Sequence, residues 1–356
     1  MNLRPYLLLM VLLSGLLVGA CVTEFQPNAV SIPPALIVEG MITDQPGPYS
    51  VKLTRTADYS YKSLNLLETG ATVTISDDAG HSELLQEATG VYFTKAGGMQ
   101  GVAGRTYKLT IRTKDGRTYE SEPEVLTASP PIQNLYYEYI YDPQALTADK
   151  QNGWNLYVDT KDPATPGDYY RWNWTHYELQ PICQKTYVPG SGNSAGTYAG
   201  NYCCQTCWDI TRCYTCLNLK SDADINGNII SRQLVERVPY DSRGKYYVEV
   251  QQQHLSRGVY NFLNATKQLT QNTGGLFDAA PANVGGNLRC TSDPSVAVYG
   301  YFGAAGESVA HLTVDRSNAV GTPPIPPAVN VSPFAPCVPC VESLYRTPKQ
   351  PRWWTY

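Results

Sequence analysis

Tyr107-Lys108-Leu109-Thr110-Ile111, the turn Lys114-Asp115-Gly116-Arg117 and the return Thr118–Glu122 decide the fold class of this chain. Apolar and polar residues alternate strictly through the first stretch, the period of a strand with one buried face and not the roughly 3.6-residue period of a helix. The Asp-Gly pair supplies the positive φ that a tight hairpin requires. The same pattern continues outward. Leu36–Thr43 and Tyr49–Arg55 flank the break Pro46-Gly47-Pro48, with Val51 and Leu53 alternating against Lys52 and Thr54. Thr72–Ser76 puts Val73 and Ile75 on one face before the turn Asp77-Asp78-Ala79-Gly80. Short strands at this spacing predict an immunoglobulin-like β-sandwich over residues 36–128, and Pro130-Pro131 marks a boundary after it.

Residues 132–316 read as a second β-rich domain. Trp172, Trp174 and His176 share one face of Tyr169–Leu179, and Tyr246, Val248 and Val250 share one face of Lys245–Gln251. Trp172 and Trp174 fit a tyrosine-rich core better than an aromatic binding surface. One amphipathic helix interrupts the strands: Ser256 is its N-cap, Val259, Phe262, Leu263, Thr266 and Leu269 recur at helical spacing, and Gly274-Gly275 closes it. Val296–Ala304 and Val309–Val314 return to strand. Residues 317–356 form a proline-rich C-terminal tail, expected to pack without regular structure. The predicted fold class is therefore mainly β.

Composition agrees. The chain carries 27 Tyr but 6 Phe, with 29 Gly and 26 Pro, a mix that favours strands and turns. Its 27 basic and 31 acidic residues leave no basic stripe to displace counterions, which argues against a nucleic-acid partner.

The first residues carry a different message. Arg4 precedes an apolar run from Tyr6 to Val18 broken by Ser14 and Gly15. The run is too short for a permanent span, which needs about 20 apolar residues, and reads as a signal peptide over residues 1–20. It ends in Val18-Gly19-Ala20-Cys21, small residues before a cysteine, the spacing that a lipoprotein signal peptidase requires. Cys21 is therefore the expected lipidation site, followed by a linker over 21–35. Acyl chains contribute about 0.8 kcal/mol per buried methylene, so two or three of them anchor a chain without a transmembrane helix. The chain is therefore expected to be held at a membrane surface by its lipid.

The stretch Leu36–Tyr49, Gly70-Ala71-Thr72-Val73 and Asp77-Asp78-Ala79-Gly80 resemble the Bacteroidetes-type outer-membrane lipoproteins grouped as domain of unknown function 4249. So do Gly275-Leu276-Phe277-Asp278, Pro281-Ala282, Gly286-Asn287, Gly300-Tyr301-Phe302, Cys337-Val338-Pro339-Cys340, Pro351 and Trp353. The resemblance runs in order over most of the chain. It implies an outer-membrane location and a TonB-dependent receptor as partner, and brings no catalytic residues. The Gly/Ser/Tyr-rich insertion Val188–Gly200 departs from the family pattern.

Beyond Cys21 lie Cys183, Cys203, Cys204, Cys207, Cys213, Cys216, Cys290, Cys337 and Cys340. In an exported chain these are disulfide candidates, and their odd number leaves at least one thiol free, modified or paired with another chain. Cys204-x-x-Cys207 and Cys213-x-x-Cys216 have paired spacing, yet the loop between them, Trp208 to Arg212, is shorter than in most zinc knuckles, so no metal is expected there. Asp222-x-Asp224-x-Asn226-Gly227 opens like an EF-hand loop, but Gln233 stands where the bidentate Glu belongs, and a polar hairpin is the better reading. His81, His176, His254 and His311 are scattered, with no catalytic motif around them. No cofactor and no enzymatic activity are expected. The predicted function is an accessory or binding subunit, with Trp353, Trp354 and Tyr356 as aromatic partner-binding candidates; for the tail alone, folding back on its own domain, stapled through Cys337 or Cys340, is the favoured reading. A surface-polymer hydrolase and an envelope-assembly component are the alternatives.

Overall fold

The computed structural model describes residues 34–56, 66–181, 186–188, 197–199, 206–271, 284–324, 340–351 and 354. Cys21, Cys183, Cys203, Cys204, Cys337, Trp353, Tyr356 and Gly275–Asp278 lie outside the described residues. In chain order come β1 (Leu36–Thr43), β2 (Ser50–Arg55), β3 (Thr72–Asp77), β4 (Ser82–Leu84), β5 (Gln86–Ala88), β6 (Val91–Phe93), β7 (Thr106–Arg112), β8 (Thr118–Ser121) and β9 (Glu124–Val125). Then follow β10 (Ile132–Tyr141), α1 (Ala148–Gln151), β11 (Asn152–Lys161), β12 (Tyr169–Pro181), β13 (Thr186–Val188), β14 (Thr197–Ala199), β15 (Thr206–Arg212) and β16 (Asn218–Ser221). The remainder is β17 (Ile229–Val238), β18 (Tyr246–Leu255), α2 (Arg257–Gln271), β19 (Leu288–Cys290), β20 (Val298–Val314) and β21 (Arg346–Thr347). The chain is mainly β, as its alternation predicts.

Two sheets enclose the first core. Val38, Val51, Leu53 and Tyr92 come from the sheet containing β1, β2 and β6, and Val73, Ile75, Leu109, Ile111 and Tyr119 from the sheet ordered β19-β8-β7-β3-β4. In β7 the buried Tyr107, Leu109 and Ile111 alternate with half-buried Lys108 and Thr110. Each buried aliphatic side chain contributes roughly 1.5–3 kcal/mol, so this face fixes the register. Gly80 and Gly116, at the two predicted hairpin turns, each adopt φ of 85°.

The second core lies between the three-stranded sheet β10-β11-β17 and the strands β12, β18 and β20. Trp154, Leu156 and Val158 of β11 face Tyr170 and Trp172 of β12 and Val248 and Val250 of β18. Trp172 is fully buried, which settles its role as core.

One strand joins the two cores. The predicted pair of strands at its two ends is a single 17-residue strand, β20. Its first half pairs in parallel with β1, Leu36 against Val298 through Thr43 against Ala305. Its second half pairs antiparallel with β18, from His254 against Gly306 to Tyr246 against Val314. A ten-stranded sheet therefore runs from β21 to β5, and residues 288–304 complete the first sandwich. The close approach needs glycine: a Cβ on Gly300, whose φ is 92°, would sit 1.9 Å from the Val38 carbonyl oxygen. The segment around Pro130 is fixed to the same sheet, because Gln252 Nε2 donates to the Pro130 carbonyl at 2.8 Å.

The predicted helix is α2. Ser256 Oγ accepts the Val259 amide at 3.2 Å, the expected N-cap bond, and Val259 packs against Leu255 and Ala305. The tail differs from its expectation, since β21 adds to the edge of β15 with Trp208 opposite Thr347. A covalent link and an aromatic contact, described below, make regular pairing possible there.

Candidate functional site

Three aspartates converge at one end of the second core. Asp162 follows β11, Asp168 precedes β12, and Asp222 follows β16, so each is placed by the end of a strand and not by a shared motif. Their carboxylate oxygens lie within 4.8 Å of one another, and the residues are 1%, 9% and 3% exposed. At an effective dielectric of about 20, two unit charges at such a separation repel by about 3 kcal/mol. Something must offset that.

Hydrogen bonds offset part of it. Asp162 accepts from the Tyr170 hydroxyl at 2.6 Å and from the Gly227 amide at 2.8 Å. Asp222 accepts from the Gly167 amide at 2.8 Å. Burial together with the Asp162 acceptor raises the Tyr170 hydroxyl pKa, keeping it a donor. Asp168 Oδ1 meets His254 Nε2 at 2.9 Å, while Asp168 Oδ2 is buried with no hydrogen-bond partner. Burial is the main cause that raises the Asp168 pKa; His254 lowers it, and Asp162 and Asp222 raise it further. His254 Nδ1 lies 2.9 Å from the Ala128 carbonyl, which can only accept, so Nδ1 carries a proton. One further proton is then shared between His254 Nε2 and Asp168. Among the described residues no Lys or Arg forms an ion pair with the three carboxylates.

The EF-hand-like stretch contributes one carboxylate to this cluster, that of its first residue, and the Gly227 amide that bonds Asp162. Asp224 and Asn226 point outward, whereas Asp222 turns in to meet two residues from the loop that joins β11 to β12. Sequence reading passed over Asp162 and Asp168 because they are 54 or more positions from Asp222 and carry no motif.

A second titratable cluster surrounds Tyr246 of the second core. The His176 ring stacks on Tyr246 with centroids 3.6 Å apart, and the Tyr246 hydroxyl donates to Glu236 Oε1 at 2.7 Å. Glu236 Oε2 is buried without a partner. Arg316 closes the far side, 5.4 Å above the Tyr246 ring, and pairs with Asp241 at 2.6 Å. Burial pushes the Glu236 carboxyl up to about 7 and pulls the His176 imidazole down to about 4.

These shifts oppose each other. Glu236 is raised from an ordinary 4.5, so its contribution is complete below about pH 4.5 and is lost as pH rises through 7. His176 is lowered from 6.5, so its contribution is complete above about pH 6.5 and is lost as pH falls through 4. Between pH 4.5 and 6.5 the slopes cancel. Glu236→Gln should therefore leave stability unchanged near pH 4 and raise it by about 3 kcal/mol above pH 7. Urea unfolding at the two pH values checks this, and an equal effect at both would refute it.

Among the described residues two disulfides are in place. Cys207 pairs with Cys340 across 133 positions, with Cα atoms 5.9 Å apart, and Cys213 pairs with Cys216, with Cα atoms 5.4 Å apart. The paired CxxC spacing is thus divided between a local bridge and a long-range one. Cys290 corrects its expectation: it is a free thiol, 3% exposed in the first core, with Ser292 Oγ at 3.4 Å from its sulfur. Strand β19 buries it against β8, away from both bridges.

Trp354 is not an exposed partner anchor; the tail folds back on its own domain, stapled through Cys340, as the favoured reading of the tail expects. Its ring stacks on Tyr247 at 3.6 Å and meets Trp208 edge-on at 5.9 Å, leaving it 8% exposed. The bridge at Cys340 holds the tail close enough for this. What the same segment exposes instead is Val341, Leu344 and Tyr345, each more than half accessible, beside a shallow cleft of about 620 Å³. Asp209, Ile210 and Arg346 line it together with Val341 and Tyr345. A second cleft, of about 590 Å³, adjoins Cys290 and Val298. Neither cleft is lined by the three aspartates.

A family model described as "Domain of unknown function (DUF4249)" matches residues 22–310. No curated protein matches the chain. Among solved structures, the crystal structure of trypsin activated alpha-2-macroglobulin from Escherichia coli is similar at 12% identity and a TM-score of 0.16. The match covers 63% of this chain and 15% of that one, and at that score it bears on neither fold nor function.

Proposed function

Because the chain belongs to the family described as domain of unknown function DUF4249, whose description names no activity, we propose a function from the chain's own features. It is an exported lipoprotein, acylated at Cys21 and held on the outer membrane, where it serves as a non-enzymatic accessory or binding subunit of a TonB-dependent receptor. The carrying observation is Val18-Gly19-Ala20-Cys21 at the end of a short apolar run. A lipid anchor confines the chain beside integral barrels and raises its effective concentration there, so modest contacts suffice for association. The exposed Val341, Leu344 and Tyr345, on a segment locked down by Cys340, offer a rigid apolar contact of the kind that dominates interfaces. The hydrolase alternative calls for carboxylates converging in an open cleft. The three aspartates are buried instead, which favours a binding subunit.

Cys21→Ser should lose the lipid by intact mass and leave the membrane fraction; membrane retention equal to wild type removes the anchor from the proposal. Mild-detergent purification of the wild type should bring down an outer-membrane barrel. Tyr345→Asp with Leu344→Asp should cut that recovery at least tenfold. Absence of any barrel from the wild type refutes the association, and undiminished recovery with the variant moves the contact elsewhere.

A further inference from the structure

We propose that Asp162, Asp168 and Asp222 form a binding site for a divalent cation of the calcium class. The first support is geometric. Calcium takes oxygen ligands at about 2.3–2.6 Å, so oxygens on opposite sides of one ion lie about 5 Å apart, and the three carboxylate oxygens fall within 4.8 Å of one another. They come from the end of β11, the start of β12 and the end of β16.

The second support is an unfilled acceptor. Asp168 is nine-tenths buried, yet its Oδ2 has no hydrogen-bond partner, although the other two aspartates are each held by at least one backbone amide. Buried carboxylate oxygens are seldom left unpaired, because each would forfeit its hydration with nothing in return. An ion bound at Asp168 removes that deficit and offsets the repulsion between the three charges. His254 can balance no more than one of them.

The ligand chemistry narrows the ion. All three donors are hard oxygens, which suit calcium, magnesium or manganese and not a thiophilic metal. Magnesium sheds water reluctantly and usually keeps several, whereas calcium accepts a set of protein oxygens, and the three aspartates that would supply them are buried.

The experiment uses the mature full-length chain, stripped with EDTA and then titrated with calcium or terbium chloride. Calcium at a hundredfold excess over its Kd should raise the melting midpoint by about 5 °C. Tyr170, bonded to Asp162, and Trp172 nearby should sensitise terbium luminescence that saturates and is displaced by calcium. Asp168→Asn should lower calcium affinity at least tenfold while melting in EDTA no lower than wild type, because it removes a buried charge. Should that variant fail to fold, Asp222→Asn serves in its place. Asp224→Asn, which changes an exposed residue of the EF-hand-like stretch, should bind as wild type does. The proposal is overturned if the wild type shows neither a calcium-dependent shift nor saturable terbium emission, if Asp168→Asn responds like wild type, or if Asp224→Asn abolishes the response.

Discussion

Cys207→Ala combined with Cys340→Ala should lower stability by about 4–5 kcal/mol, more than any change to the other described cysteines. The bridge closes a separation of 133 positions, and in the chain-entropy account its value grows with the logarithm of that number. The Cys213–Cys216 bridge, with a separation of 3, is worth less than half as much on the same account. The bridge also fixes the segment that buries Trp354 on Tyr247 and lets Ile210 donate to the Tyr345 carbonyl at 2.8 Å. At roughly 2 °C per kcal/mol for a chain of this size, the midpoint should fall by about 8–10 °C. Alanine is the proper replacement at Cys207, which is fully buried and would leave a serine hydroxyl without water. A double variant melting within 2 °C of the oxidised wild type would refute the assignment. Limited proteolysis gives the local readout, since a released tail should be cut within residues 340–351, which pair with β15 in the oxidised protein, before the sheets unfold.

Trp172→Ala should cost about 5 kcal/mol. The indole is fully buried at the centre of the second core, and removing a large aromatic side chain from such a place costs about 3–5 kcal/mol through lost transfer energy and the cavity it leaves. A further penalty comes from Gln252. Trp172 Nε1 donates to Gln252 Oε1 at 3.0 Å, and Gln252, fully buried, in turn holds the Pro130 carbonyl. Without the indole that oxygen is orphaned, at about 1–3 kcal/mol. Trp172→Phe separates the two effects: it keeps most of the volume and loses the hydrogen bond, so it should cost about 2 kcal/mol. Urea unfolding of both variants tests this. Equal losses would place the whole effect on the hydrogen bond, and a loss below 2 kcal/mol for Trp172→Ala would contradict the core assignment.

The strands of the first sandwich were legible because their signal is local. Val51 and Leu53, Val73 and Ile75, and Tyr107, Leu109 and Ile111 each alternate within one segment, and all seven are buried. The turn at Gly116 and the cap at Ser256 are equally local, since φ sign and a side-chain bond three residues away are properties of a few neighbours. The strands expected over Val296–Ala304 and Val309–Val314 are one, and at the expected interruption Ala305 and Gly306 are buried like Ala304 before them, so the alternation is lost. Burial on both sides erases a period of two, and here it marks the passage of one strand between two cores.

The candidate cation site was not legible for the opposite reason. Asp222 stood in a motif, but Asp224 and Asn226 beside it face solvent, and its partners Asp162 and Asp168 lie at the ends of other strands. Likewise His254 was isolated in sequence and meets Asp168 only because β12 and β18 are neighbours, with Tyr170 opposite His254 in their register.

By itself the sequence determined the mainly β class, the hairpin turns, the capped helix and the membership of the family, since each depends on residues close together or on their order along the chain. It determined which cysteines exist but not how they pair. The tertiary structure decided that Cys207 joins Cys340, that Cys290 stays free in a core, that Trp354 is covered, and that three aspartates meet. Those outcomes depend on which strands lie side by side in the ten-stranded sheet, and that order is set by the collective burial of two cores, a quantity no short window of residues contains.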